Sequence, residues 1–258
     1  MVGFWRLRYD GALRGNEYQR MPKDDNPVPR DPESFPAETS TFEISGPAGA
    51  LEALAEVPEP DEARLGVAVL CHPHPQGGGT MHNKVVAMMS RALRELGLQT
   101  LRFNFRGVGG SEGEFGDAEG EVDDLMAVIA WVLKTLPGHE LWMGGFSFGS
   151  YVAARAVAER ELPVRQFIYV APPIGRYEDY PELAVPDCPR LVIQGDEDDV
   201  VSATAVIEWV EDSENPPELV VMEGAGHFFH RRLMDLRGAV KANVRHHLPP
   251  LVRDGSAP

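Results

Sequence analysis

From Thr41 onward, short apolar runs alternate with stretches in which apolar residues recur every three or four positions. The runs LGVAVLC (65–71), LQTLRFNF (98–105), ELWMGGF (140–146), RQFIYVA (165–171), RLVIQG (190–195) and ELVVMEG (218–224) have strand length. The first has no polar residue to turn toward water, as in a strand covered on both faces. Between the runs, Val85, Met89, Ala92, Leu93 and Leu96 share one helical face, as do Val122, Leu125, Met126, Ile129, Val132 and Leu133. Further helices are predicted over 148–159, near 202–211 and from about 230 to 247. Ahead of them, TFEIS and ALEALAEV flank Gly-Pro-Ala-Gly and read as an antiparallel hairpin. Strands alternating with helices predict an α/β fold: a mostly parallel sheet of about eight strands, flanked by helices. No internal repeat or linker divides residues 41–250, which are expected to form one domain.

Composition changes this picture mainly at the ends. The stretch MPKDDNPVPRDPESFPAETS holds five prolines and many charges, so residues 1–40 are expected to be a disordered or loosely attached extension, with Met21 a conceivable start. Residues 251–258 are expected to be a flexible tail. The N-terminus lacks an apolar signal core, and the longest apolar run, Leu125–Leu133, is nine residues, about half of a membrane span. A cytoplasmic protein without a membrane partner is expected. The net charge of −16 leaves no surplus of Lys and Arg to neutralise phosphates, which argues against a nucleic-acid partner. Cys71 and Cys188 fall at opposite edges of the predicted sheet, far beyond disulfide reach, and are expected to be free thiols. The oligomeric state is not legible.

Gly145-Phe146-Ser147-Phe148-Gly149 matches G-x-S-x-G, directly after a predicted strand and at the start of a predicted helix. That context suits a nucleophile elbow, in which glycines let strand and helix approach while a tight turn presents the serine. A serine hydroxyl needs a neighbouring base. Acid and histidine should follow in that order, each after a later strand. After RLVIQG come Asp196, Asp198 and Asp199, and after ELVVMEG comes His227 in a glycine-rich turn. An aspartate after a strand is often only a helix cap, so the three remain alternatives on spacing alone. His230, His246 and His247 are assigned no chemistry. An oxyanion hole needs two backbone N–H groups. Phe148, following the serine, should give one. The loop Cys71-His72-Pro73-His74-Pro75-Gln76-Gly77-Gly78-Gly79 should give the other, from His74 with Gln76 in reserve, because prolines have no N–H. Metal binding by His72 and His74 lacks further ligands nearby, and the glycines lack the Lys-Ser/Thr of a phosphate loop. No metal and no cofactor are expected.

Through CHPHPQGGGTMHNKVV, LRFNFRGVGGSEGEF, GGFSFGS, LVIQGDEDDVV and GAGHFFHRRL, the sequence resembles the α/β-hydrolase superfamily, and within it a bacterial group of small, lidless predicted hydrolases. The resemblance runs from about Thr41 to the last helix and implies the α/β-hydrolase fold. The acid loop of many members looks like G-x-x-D-x-x-V, which maps the acid onto Asp198. The turn Asn104–Ser111 resembles one that supports the site, so Arg106 is implied to be structural. Asn83 and Lys84 match the group's pattern without a chemical role. In this fold a lid commonly follows the strand after the elbow helix. Here the interval PPIGRYEDYPELAVPDC is too short for two helices at about 10–12 residues each. No large lid is expected, with Tyr177 or Tyr180 at the rim of an open cleft.

The implied function is a serine hydrolase that cleaves ester-type bonds of small substrates through an acyl-enzyme, with Ser147, His227 and Asp198 as triad and a small ester or acyl compound as partner. Thioesterase, acyltransferase and small-peptide peptidase activities use the same triad. A noncatalytic binding module on the same scaffold is the alternative of a different class.

Overall fold

Alternation within each buried strand divides the apolar side chains between two cores. The computed structural model describes residues 28–252 apart from 181, 182, 184 and 185. Its eight strands are β1 (Ser40–Gly46), β2 (Gly49–Glu56), β3 (Gly66–Cys71), β4 (Gln99–Phe103), β5 (Glu140–Phe146), β6 (Val164–Val170), β7 (Arg190–Gly195) and β8 (Glu218–Met222). They form one sheet in the order β1-β2-β4-β3-β5-β6-β7-β8. Pairing is antiparallel for β1 with β2 and β2 with β4, and parallel elsewhere. Among the described residues the α-helices are α1 (Lys84–Arg94), α2 (Glu119–Thr135), α3 (Phe148–Glu159), α4 (Ala203–Glu211) and α5 (Leu233–Val244). In β3, Val67, Val69 and Cys71 join a core with α2, α3 and α4, while Ala68 and Leu70 join one with α1 and α5. Both faces are therefore covered, and all six residues of β3 and of β7 are buried. The expected α/β-hydrolase fold is what the chain adopts.

At the N-terminal side the structure departs from expectation. Residues 28–40 dock on the core instead of hanging loosely; residues 1–27 and 253–258 lie outside the described residues. One buried aromatic side chain anchors the segment, and polar contacts add to it. Phe35 is only 8% exposed, its ring lies 5.8 Å from that of Trp131, and Trp131 Nε1 donates to the Pro32 carbonyl at 3.0 Å. Asp31 accepts hydrogen bonds from the backbone and hydroxyl of Ser45 on β1, and Arg30 pairs with Glu43. Phe35→Ala should cost about 2–3 kcal/mol, a fall of about 5–10 °C in Tm for a domain of this size. An unchanged thermal melt would mean that the segment rests on the surface without stabilising it.

The parallel strands β3, β5, β6, β7 and β8 all end on one edge of the sheet, and the loops leaving that edge build the site. Residues 171–189, between β6 and β7, contain no α-helix among the described residues, in keeping with the absence of a large lid.

Candidate active site

Ser147 stands between the end of β5 and the start of α3 with φ 51° and ψ −122°. A non-glycine residue at such angles costs on the order of 1–3 kcal/mol and persists only where its surroundings enforce it. Here they do. Ser147 N–H donates to the Val170 carbonyl at 2.9 Å, tying the turn to β6. A Cβ at Gly145 would overlap the backbone of Gly149 and Ser150, and one at Gly149 would overlap the carbonyls of Cys71 and His72. Both glycines of the pentapeptide are thus required by close backbone approach, and the serine at the tip is presented by it.

The loop after β7 carries Asp198, whose side chain is fully buried. Its Oδ1 accepts the backbone N–H groups of Val200 (2.8 Å) and Val201 (2.7 Å). Its Oδ2 meets Gln194 Nε2 at 3.0 Å and His227 Nδ1 at 2.8 Å. Burial pushes the Asp198 pKa up, but the bonds from His227, Val201 and Val200 outweigh it and hold the carboxyl below its ordinary range. Asp196 accepts Gly224 N–H at 2.7 Å and so ties the β7 loop to the β8 loop; Asp199 is exposed. Of the three aspartates, Asp198 is the one bonded to His227. The His227 ring is 4% exposed and lies 4.9 Å from that of Phe146, the residue before Ser147. Histidine and serine thus share one loop edge, although no hydrogen bond involves Ser147 Oγ among the described residues. Such bonds are often long before substrate binds.

Phe148 opens α3, so its N–H has no carbonyl one turn earlier to bond. The N–H of His74 likewise makes no hydrogen bond among the described residues, and the His74 and Phe148 rings are 4.8 Å apart. The Gln76 N–H donates to His74 Nδ1 at 3.2 Å, so the reserve donor is already committed. With Ser147, His74 and Phe148 line a cavity of about 280 Å³ whose other walls include Arg176, Tyr177 and Val201. Of the two tyrosines expected at the rim, Tyr177 lines the cavity and Tyr180 does not. The latter is 2% exposed and stacks on Trp209 beneath the loop.

His72 is a strut. Its Nε2 accepts Phe105 N–H at 3.1 Å, so its Nδ1 carries the proton and donates to the Pro73 carbonyl at 2.7 Å. Both ring nitrogens are thereby engaged within the protein, and among the described residues no group of three His, Cys, Asp or Glu is placed to hold a metal. Burial lowers the His72 pKa from 6.5 to about 4. Between those values the unfolded chain binds a proton that the folded chain refuses. The resulting stability is complete above pH 6.5 and is lost as the pH falls toward 4, by about 3 kcal/mol in all. Urea midpoints should therefore fall between pH 7 and 4.5, and less steeply in His72→Gln; equal slopes in the two proteins would refute the assignment.

The remaining polar residues support the loops. Arg106 grips the buried Asp124 with two side-chain bonds of 3.0 and 2.7 Å. Asn104 bridges Glu52 and the Met81 N–H. Asn83 caps α1 by accepting Val85 N–H, the role its sequence position left open. The exposed Lys84 has no evident one.

The profile of the alpha/beta hydrolase fold matches residues 69–186. An uncharacterized protein of Rickettsia prowazekii is 32% identical over 220 residues, 79% of this chain and 91% of that one. The chain belongs to the α/β-hydrolase family. This hydrolase is also similar to a solved structure from Xanthomonas campestris, described as a member of the α/β serine hydrolases without lid, at 46% identity and a TM-score of 0.80, covering 88% of this chain and all of that one. A serine hydrolase homologue from Coxiella burnetii is similar at 44% identity and a TM-score of 0.77, covering 82% of this chain and all of the other. Among the described residues, no helix of the hydrolase is long and apolar enough to cross a membrane. In the cleft wall, sequence reasoning missed Arg176 and had Val201 only as the closing position of the acid-loop pattern. Both sit in loops that directly follow strands on the site's edge, which was the available signal.

Proposed function

We propose that the protein is a serine hydrolase acting on ester-type bonds of small substrates. The observation that carries this reading is the bond from His227 Nδ1 to the buried Asp198, beside the strained turn that presents Ser147. In the proposed cycle Asp198 keeps the Nδ1 proton in place, leaving Nε2 free to take the Ser147 proton as the serine attacks the carbonyl carbon. The N–H groups of Phe148 and His74 receive the developing oxyanion. His227 then protonates the leaving group, and water attacks the acyl-enzyme by the same route. A fluorophosphonate probe should label Ser147, located by peptide mass mapping. A protein that binds small molecules without catalysis would stay unlabelled, and that result would sink the proposal.

At about 280 Å³ the cavity falls just below the roughly 300–1,000 Å³ of pockets that enclose drug-sized ligands, which favours short acyl groups. Chain carbons left in water forgo about 0.8 kcal/mol each. Esters of acetate to butyrate are therefore expected to turn over at least as well as those of C8–C12 acids. A steady rise in kcat/KM with chain length would show that a longer acyl channel opens. Two free cysteines, Cys71 buried and Cys188 half-buried, fit a reducing compartment such as the cytoplasm.

A further inference from the structure

The cavity beside Ser147 has one permanently charged wall residue, Arg176. Its Nε donates to the Val200 carbonyl at 3.1 Å, and Nη2 donates to the same oxygen. A guanidinium has five N–H donors in a fixed fork. Spending the Nε–Nη2 side on one carbonyl leaves the Nη1–Nη2 end, with two parallel N–H groups, available to a further acceptor. Among the described residues no carboxylate pairs with Arg176, in a chain with 40 acidic against 24 basic residues. That absence is notable, because Asp199 is the immediate neighbour of the residue it bonds.

The loop that bears Arg176 is held from below. Arg176 N–H closes a turn onto the Pro173 carbonyl at 3.0 Å. The next residue, Tyr177, stacks on Tyr151 of α3 with ring centroids 3.9 Å apart and planes 10° from parallel. Tyr151 in turn donates its hydroxyl to Asp179 at 2.9 Å. The guanidinium is thus fixed from the acid loop and from its own loop before any substrate arrives, and preorganised donors lose little freedom on binding. Fork and carboxylate geometry match two bonds to two oxygens.

We propose that Arg176 is a specificity-determining residue and that the natural substrates are short esters carrying a free carboxylate, which seats on the open end of its guanidinium. This rests on the serine-hydrolase reading and adds the substrate class. Asp117 and Glu121 lie close enough to influence Tyr177, so a substrate anion gains only when seated on the fork itself. The plainer role for Arg176, tacking the Val200 carbonyl in place, makes no distinction between charged and neutral esters.

The test compares two isosteric pairs by acid release in a pH-stat: monoethyl glutarate against ethyl valerate, with the charge on the acyl side, and 4-acetoxybutanoate against butyl acetate, with the charge on the alcohol side. In at least one pair the anion should be favoured in kcat/KM by about tenfold or more, mainly through KM, with the preference shrinking as salt rises. Arg176→Gln should lower the anion-to-neutral ratio by about tenfold, and Arg176→Lys should restore part of it. The ratio cancels any loss from freeing the Val200 carbonyl. Equal turnover within both pairs, or a ratio untouched by Arg176→Gln, overturns the proposal. So does the absence of any hydrolysis; fluorophosphonate labelling of Ser147 in that sample would leave the serine-hydrolase reading standing, and its failure would remove both.

Discussion

Ser147→Ala is expected to lower kcat for a short ester by about 10³-fold or more while leaving the melting temperature nearly unchanged. The two halves of that expectation have separate physical grounds. Removing Oγ removes the attacking atom, and neither His227 nor the backbone donors can replace it. Stability should hold because Oγ makes no hydrogen bond among the described residues, and the bond that fixes the turn runs from the Ser147 backbone to Val170. Alanine keeps a Cβ, so the strain at φ 51° is neither relieved nor increased. Retention of most of the activity would sink the mechanism. A large fall in Tm with it would mean that the variant reports on folding instead.

Asp198→Asn should lower kcat by about 10³–10⁴-fold, through the proton it misplaces. Val200 and Val201 both donate to Oδ1, so the amide oxygen of asparagine must take that side. Its NH₂ then faces His227 Nδ1, which can only accept, and the imidazole proton moves to Nε2, where the Ser147 proton should arrive. The same NH₂ meets the Gln194 donor that Oδ2 accepted. A facing pair of donors adds about 1–3 kcal/mol of destabilisation. Asp196→Asn should cost much less activity, because that side chain serves Gly224, and Asp199→Asn less again. If Asp196→Asn proves the more damaging, His227 takes its orientation from a partner other than Asp198 during turnover.

What the sequence made legible follows from periodicity and from order along the chain. Completely buried strands such as β3 and β7 announce themselves as apolar runs, and glycine-flanked Ser147 is recognisable because close backbone approach leaves no other residue for positions 145 and 149. The choice among Asp196, Asp198 and Asp199 was beyond spacing; the resemblance pointed to Asp198, and its hydrogen bond to His227 distinguishes it in the fold. Phe35 escaped notice because one aromatic among prolines and charges has no period, yet its ring packs against Trp131 and anchors the segment. Tyr180 and Arg176 were hidden for a related reason. They lie in a loop whose path depends on a stack with Tyr151 and on a carbonyl 24 positions away, and neither leaves a trace in local composition.

The contact of Gly149 with the carbonyls of Cys71 and His72 has a consequence for redesign. It presses the first turn of α3 directly against the end of β3, so the turn that presents Ser147 and the loop that brings His74 are registered against each other by backbone alone. A side chain at Gly149 would overlap those carbonyls and push the Ser147 turn away from the loop that carries His74, the proposed oxyanion donor. In the segment 171–189, by contrast, a Cβ at Gly175 would meet nothing within 4 Å. New acyl or alcohol preferences should therefore be graftable through the Arg176 loop while the β3–α3 seam is left untouched, which divides this small hydrolase into a part that can be varied and a part that serves as its fixed gauge.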